Sequence, residues 1–174
     1  SIRDYLSWAK LQAGHNDLRD HSITDLPFPY ETPREGQQRL MTSVERSLRT
    51  GIPLMAQAPT GSGKTISTLF PALQSLAKRE IARIFYLTAK TSTREVAEQA
   101  LEDLRQVGLY ARQVTLTAKE QMCLAPELYC DTTVCPYAVS YYDRLDEGLK
   151  RTLEESVLKK DLLMALGAEF GLCP

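Results

Sequence analysis

The run Ala58-Pro59-Thr60-Gly61-Ser62-Gly63-Lys64-Thr65 brings two glycines, a lysine and a terminal hydroxyl into one short stretch. Those types in that order suit the cradling of a polyphosphate. Glycines let a tight loop aim consecutive backbone N–H groups at an anion, and a helix that starts at the loop adds the positive end of its dipole. Lys64 would reach the outer phosphates, and the Thr65 hydroxyl would hold Mg²⁺. The flanks agree: Ile52-Pro53-Leu54-Met55-Ala56 reads as a strand and Ile66 to Lys78 as a helix, and strand, loop and helix is the context such a loop requires. The plainer alternative, a Gly/Ser turn that happens to precede Lys-Thr, leaves both flanks unexplained. Lys64 and Thr65 are therefore the candidate catalytic residues, with Thr60, Gly61, Ser62 and Gly63 beside them as nucleotide ligands. The usual pattern begins with Gly where this chain has Ala58.

A second cluster of reactive types lies late in the chain. Cys123, Cys130, Cys135 and Cys173 are spaced C-x6-C-x4-C-x37-C, which is not the paired C-x2-C layout of a zinc ribbon. Four thiolates can hold either Zn²⁺ or a four-iron cluster. A cubane is larger than one ion, so irregular spacing suits it better. Cys135 and Cys173 each precede a proline, which removes an N–H and stiffens the turn. The bland alternative is four buried free thiols, since cysteine is among the most buried residue types.

The elements that must position these groups alternate. Residues 1–26 read as a helix over the first turns and a loop from Asn16 to Asp25. Leu26-Pro27-Phe28-Pro29-Tyr30 is extended. Arg34 to Arg49 has Leu40, Met41, Val44 and Leu48 at helical spacing and is closed by Gly51. Strands are expected at 52–57, 82–88 and, weakly, 110–117. A helix capped by Thr91 or Ser92 runs to Gly108. Helices between strands predict a parallel, doubly wound α/β sheet. After Lys119 the periodicity fades, and two helices follow, Tyr141–Lys150 and Thr152–Leu166. The expected organisation is a linker helix from an upstream region over 1–26, the α/β domain over 27–116, and a small, mostly helical four-cysteine insertion over 117–174.

Composition sets the outer limits. The chain has 174 residues, 43% hydrophobic and 25% charged, with a net charge of −1. That balance is ordinary for a globular domain, and nucleic-acid binding would need a local basic face. No apolar run approaches 18 residues, and residues 1–30 lack the apolar core of a signal peptide. No membrane partner and a cytoplasmic location are expected, where cysteines serve as ligands more often than as disulfides. The start without Met and the stop at Cys173-Pro174 read as the ends of a piece of a longer protein.

Taken together, the motifs resemble the XPD/DinG group of iron–sulfur superfamily 2 DNA helicases. The resemblance spans residues 27 to 174. Phe28-Pro29-Tyr30 with Pro33-Arg34 and Gln37 is similar to the group's element ahead of the phosphate loop, which would assign Arg34 and Gln37 to ATP recognition. Ala58–Thr65 matches motif I. Tyr86-Leu87-Thr88-Ala89-Lys90-Thr91 looks like motif Ia, which contacts single-stranded DNA. Cys135-Pro136-Tyr137-Ala138 with Tyr141-Tyr142-Asp143-Arg144 is also family-like, and the cysteines fall where the group inserts its [4Fe–4S] domain. The resemblance implies a partial RecA-like P-loop NTPase domain, ATP, Mg²⁺ and a [4Fe–4S] cluster held by Cys123, Cys130, Cys135 and Cys173. It implies ATP-driven 5′-to-3′ translocation on single-stranded or forked DNA by a monomer, in DNA repair or replication. The Asp-Glu box, the later motifs and the second RecA-like domain with its arginine finger are not in this sequence, so the fragment alone is expected to be inactive.

Lys90, Thr91, Arg94, Arg112 and Lys119 are candidate phosphate contacts, and Tyr129, Tyr137, Tyr141 and Tyr142 candidate stacking groups; a solvated face and core packing are the respective alternatives. Trp8 reads as a packing residue, and His15 and His21 carry no metal role. Glu102-Asp103 and Glu154-Glu155 read as exposed helix faces. Cys173, with one residue beyond it, is expected to be loosely fixed, with partial cluster loss. Two other classes stay open: a P-loop NTPase with a zinc-binding insertion and no helicase activity, and a non-catalytic DNA-binding module.

Overall fold

The computed structural model describes residues 2–126 and 130–174. It divides into two compact units, one ending at Tyr110 and the other beginning at Ala111. Tyr129 lies outside the described residues.

In the first unit four helices follow in order: α1 (Ile2–Thr24), α2 (Glu35–Thr50), α3 (Lys64–Ala77) and α4 (Thr91–Gln106). The centre is α3, which packs on each of the other three. Its composition dictates this. Ile66, Ser67, Leu69, Pro71, Ala72, Leu73, Ser75 and Leu76 are all buried, so the helix is covered on more than one face, as a central helix must be. Ser67, the most buried of its polar residues, is satisfied locally: its hydroxyl donates to the Gly63 carbonyl at 2.9 Å. α2 ends where Gly51 takes a left-handed conformation, φ 69°, and donates its N–H to Ser47 O, the usual role of glycine at a helix end.

Three expectations are corrected. First, α1 does not give way to a loop at Asn16; it runs to Thr24. Its polar second half is held by tertiary contacts: Arg79, at the end of α3, pairs with Asp17 at 2.9 Å and Asp20 at 3.1 Å, and His15 and Ile23 are buried. Second, residues 52–57 and 82–88 join no sheet ladder among the described residues. A parallel strand needs a neighbour for its N–H and C=O groups. Here most apolar side chains of both segments stay exposed, Met55 at 98% and Leu87 at 87%. Third, the sheet that does form is small and lies in the second unit. It pairs β1 (Gln113–Val114) in parallel with β2 (Val157–Leu158), in the register Gln113↔Val157 and Val114↔Leu158.

The second unit also contains α5 (Lys119–Met122), α6 (Tyr141–Thr152) and α7 (Lys160–Phe170). The helix expected from Thr152 to Leu166 is interrupted because its first part is drawn into the ladder: Gln113 donates to Ser156 O and Thr115 to Leu158 O, both at 2.8 Å. Two glycines then seat the C-terminal residues. A Cβ on Gly148 of α6 would collide with the Leu172 side chain, and one on Gly167 of α7 would sit 2.8 Å from Leu172 O and 2.7 Å from Pro174. No described helix is long and apolar enough to cross a membrane.

Candidate nucleotide site and cysteine region

The glycine loop takes its shape from the residues that compose it. Gly61 and Gly63 have φ 75° and 74°, the left-handed region that side chains disfavour. Gly63 immediately precedes α3, so the N–H groups at the start of that helix face the loop. Gly63 is constrained a second time, because a Cβ there would run into the Gln37 amide nitrogen. Gln37 is buried, at 9% exposure. Its Oε1 accepts the Arg34 N–H at 2.9 Å, the reach-back half of a capping box at the start of α2. The element ahead of the loop and the loop itself are thus in direct contact. Arg34 is exposed at the same corner.

Lys64 folds back onto its own loop and donates to the carbonyls of Ala58 at 2.9 Å and Pro59 at 2.7 Å. A phosphate would compete with neutral carbonyls for this ammonium, and a charged acceptor is the stronger partner. The Ser62 hydroxyl oxygen is covered and has no hydrogen-bond partner among the described residues; such a group inside a phosphate loop is one that a ligand oxygen would satisfy. Thr60 is exposed on the loop. Thr65 turns its hydroxyl to that of Tyr86, 3.4 Å away. The sequence marked Tyr86 as the first residue of a motif but gave no sign of this pairing across 21 positions.

The proline-rich lead-in is anchored more firmly than its composition foretold. Phe28 meets Phe70 of α3 edge-on, with ring centroids 5.4 Å apart. The Tyr30 hydroxyl donates to Asp103 at 2.8 Å; this bond, with burial and the carboxylate charge adding to it, pushes the phenol pKa up. Asp103 is therefore not a plain solvated acid, whereas Glu154 and Glu155 do pair locally with Arg151. His15 packs on Tyr110, and Trp8 touches Tyr5 while remaining 48% exposed.

Among the candidate nucleic-acid residues of the first unit, Lys90 caps α4, Thr91 begins it, and Arg94 lies one turn on with Glu98 at 3.6 Å. In the second unit Tyr141 and Tyr142 meet edge-on at 5.5 Å, and Tyr137 contributes its carbonyl to Cys173 N–H at 3.1 Å. Two other cations have partners inside the unit: Arg112 donates to Leu153 O at 2.9 Å, and the Cys130 sulfur raises the Lys119 pKa. Residues 1–110 carry 14 Lys and Arg against 12 Asp and Glu, and residues 111–174 carry 7 against 10. Phosphate attraction therefore favours the first unit, and contact by the second would rest on ring stacking.

The four cysteines are unpaired thiols, Cys135 buried, Cys130 exposed, Cys123 and Cys173 half-buried. Among the described residues no group of three or more His, Cys, Asp or Glu side chains is placed to hold a metal ion. Burial, and then Cys123, Cys135 and Cys130 in turn, push the Cys173 thiol up, with Lys119 opposing. Cys173 is not loose. Its N–H is bonded to Tyr137 O, the neighbouring Leu172 N–H to Gly167 O at 2.8 Å, and Leu172 is buried in the glycine seats. Four thiols have the donor chemistry for either Zn²⁺ or an iron–sulfur cluster, but the expected four-cysteine ligand set is not assembled among the described residues.

The sequence profile of the DEAD/DEAH box helicases matches residues 34–161. The chain belongs to the DEAD/DEAH box helicase family. Its mixed helices and small parallel sheet fit part of the RecA-like fold of such a domain. Its relatives include a probable ATP-dependent helicase of Methanocaldococcus jannaschii, 31% identical over 59% of this chain and 16% of the relative. The ATP-dependent RNA helicase Dbp4 of Aspergillus terreus is 39% identical over 54% of this chain and 13% of its own length. The XPD helicase subunit of the general transcription and DNA repair factor IIH of Dictyostelium discoideum is 26% identical over 84% of this chain and 22% of its own. The chain thus spans less than a quarter of the length of these relatives. No solved structure matches it significantly.

Proposed function

We propose that this chain carries the ATP half-site and the cluster-bearing region of an ATP-dependent DNA helicase of the XPD/DinG type. The reading rests above all on one observation, the packing of Gln37 directly against Gly63 at the head of α3. A nucleotide bound there would have its phosphates on the N–H groups of residues 61–63 and its base end toward Gln37 and Arg34. Lys64 would exchange two loop carbonyls for phosphate oxygens. Thr65 Oγ1, a hard oxygen donor at a helix start, fits a role as protein ligand to Mg²⁺. When bound, that ion neutralises charge on the outer phosphates.

The DNA reading over an RNA reading is supported by extent. The match to the XPD subunit covers 84% of the chain, whereas that to the RNA helicase covers 54%. In the proposed parent, nucleotide-driven closure of two RecA-like domains moves single-stranded DNA 5′ to 3′ in repair or replication, as a monomer in the cytoplasm. Lys90, Thr91 and Arg94 are proposed to contact its backbone, and Tyr137 and Tyr141 its bases. Cys123, Cys130, Cys135 and Cys173 are proposed as ligands of a [4Fe–4S] cluster whose role is to tie distant segments into one rigid fold. Support comes from the similarity to the XPD subunit and from the anchored tail at Cys173. The 174-residue chain by itself is expected to hydrolyse ATP at background rate, because phosphoryl transfer also needs a water-positioning group and an arginine finger.

The test is iron, sulfide and zinc content after anaerobic purification. About four irons and as many sulfides per chain support the reading. One zinc and no iron would replace it with a zinc-bearing NTPase. Neither metal, together with DNA binding indifferent to ATP, would leave a non-catalytic binding module.

A further inference from the structure

In an ordinary helix a threonine hydroxyl bonds back to a carbonyl one turn earlier. Thr68 does this, donating to Lys64 O at 3.1 Å and Thr65 O at 2.9 Å. Ser67 does it too, toward Gly63. Thr65 is the second residue of that helix, so the residues one turn back, Gly61 and Ser62, lie in the loop; its hydroxyl meets that of Tyr86 at 3.4 Å. Tyr86 reaches it from an extended run whose side chains alternate. Phe85 and Leu87 are 75% and 87% exposed, while Tyr86 between them is less so, at 38%.

We infer that Tyr86 is a positioning residue for Thr65, setting the rotation of the hydroxyl that the phosphate-loop reading offers to Mg²⁺. The inference rests on that reading. A hydroxyl that gives one lone pair to a cation keeps its proton, and that proton needs an acceptor. The Tyr86 phenol oxygen is the acceptor at hand. The present separation exceeds a formed O–H···O bond of about 2.5–3.0 Å, and contacts of this kind commonly tighten when the ligand is bound. Partners one shell out from a metal ligand fix its orientation, and their loss typically costs at least about tenfold in metal affinity. A ring that merely filled space would do as well without its hydroxyl, so Tyr86→Phe separates the two roles.

The experiment measures ATP affinity of the 174-residue chain in Mg²⁺ and in EDTA. It compares the wild type with Lys64→Ala, Tyr86→Phe, Thr65→Ala and the Tyr86→Phe/Thr65→Ala pair, each checked for an unchanged thermal midpoint without ligand. Mg²⁺ is expected to tighten wild-type binding. Tyr86→Phe is expected to lower that enhancement about tenfold, to leave the EDTA affinity in place, and to add nothing in the Thr65→Ala background. An unchanged enhancement in Tyr86→Phe, or an equal loss with and without Thr65, overturns the inference while the nucleotide reading stands. If Lys64→Ala binds ATP like the wild type, or if Mg²⁺ enhances nothing, the nucleotide reading fails and takes this inference with it.

Discussion

In the first unit the groups proposed to face a phosphate are near neighbours in the chain, Gly61 to Thr65, and the turn that presents them is made by Gly61 and Gly63 at positive φ. In the second unit the four cysteines are spread from Cys123 to Cys173, and the last of them is held by contacts between distant segments. Cys173 is bonded to Tyr137, and its neighbours sit on glycines of two different helices. One site is local geometry with a single long-range clamp, Gln37. The other is almost wholly long-range. A local site should survive damage to the core and fail on small changes to its own turn. A non-local site should fail when a remote seat is filled.

Gly63→Ala is the sharpest way to break the local site. It adds left-handed strain and drives a methyl into Gln37, for an expected loss of about 2–4 kcal/mol in unfolding free energy. ATP binding should disappear, while iron bound after anaerobic reconstitution should match the wild type. Loss of both together, by calorimetry and iron assay, would mean that the two units do not fail separately.

Gly167→Ala is the converse. Its methyl would meet the Leu172 carbonyl and Pro174, and the expected cost is about 1–3 kcal/mol. Displacement of the tail should lower iron content and speed the alkylation of Cys173, with ATP affinity intact. Full iron retention would show that the seats do not govern the thiols.

The smallest effect belongs to the ion pairs that hold the second half of α1. Burial alone would raise the Asp20 pKa, but Arg19 and Arg79 outweigh it and hold its carboxyl below the usual carboxylate range. The stabilisation is therefore complete above the unfolded value of about 4 and is lost as pH falls through the lowered folded value. Asp20→Asn should cost about 1 kcal/mol at pH 7 and nothing once Asp20 is protonated. Denaturation curves at both pH values decide this, and an equal loss at each would remove the charge from the explanation.

These contrasts mark what could be read early. The glycine loop, the helix after it and the helix ended by Gly51 follow from residue types a few positions apart, and all are present; α4 forms too, but with Lys90 rather than Thr91 or Ser92 at its N-cap. α1 was misread because its polar second half has no local reason to stay helical; Arg79, some 60 residues away, supplies it. The two apolar runs at 52–57 and 82–88 have strand composition, but pairing is a property of two chains of atoms, not one.

The sequence by itself determined the chemistry available: a phosphate loop with its lysine and hydroxyl, a glutamine and arginine ahead of it, and four thiols. It did so because loops and helix ends are fixed by φ/ψ preference and by nearest neighbours. Tertiary structure alone decided that Gln37 packs on Gly63, that Thr65 faces Tyr86, and that the tail carrying Cys173 is pinned. Each of these depends on which surfaces meet, and no spacing along one chain encodes that.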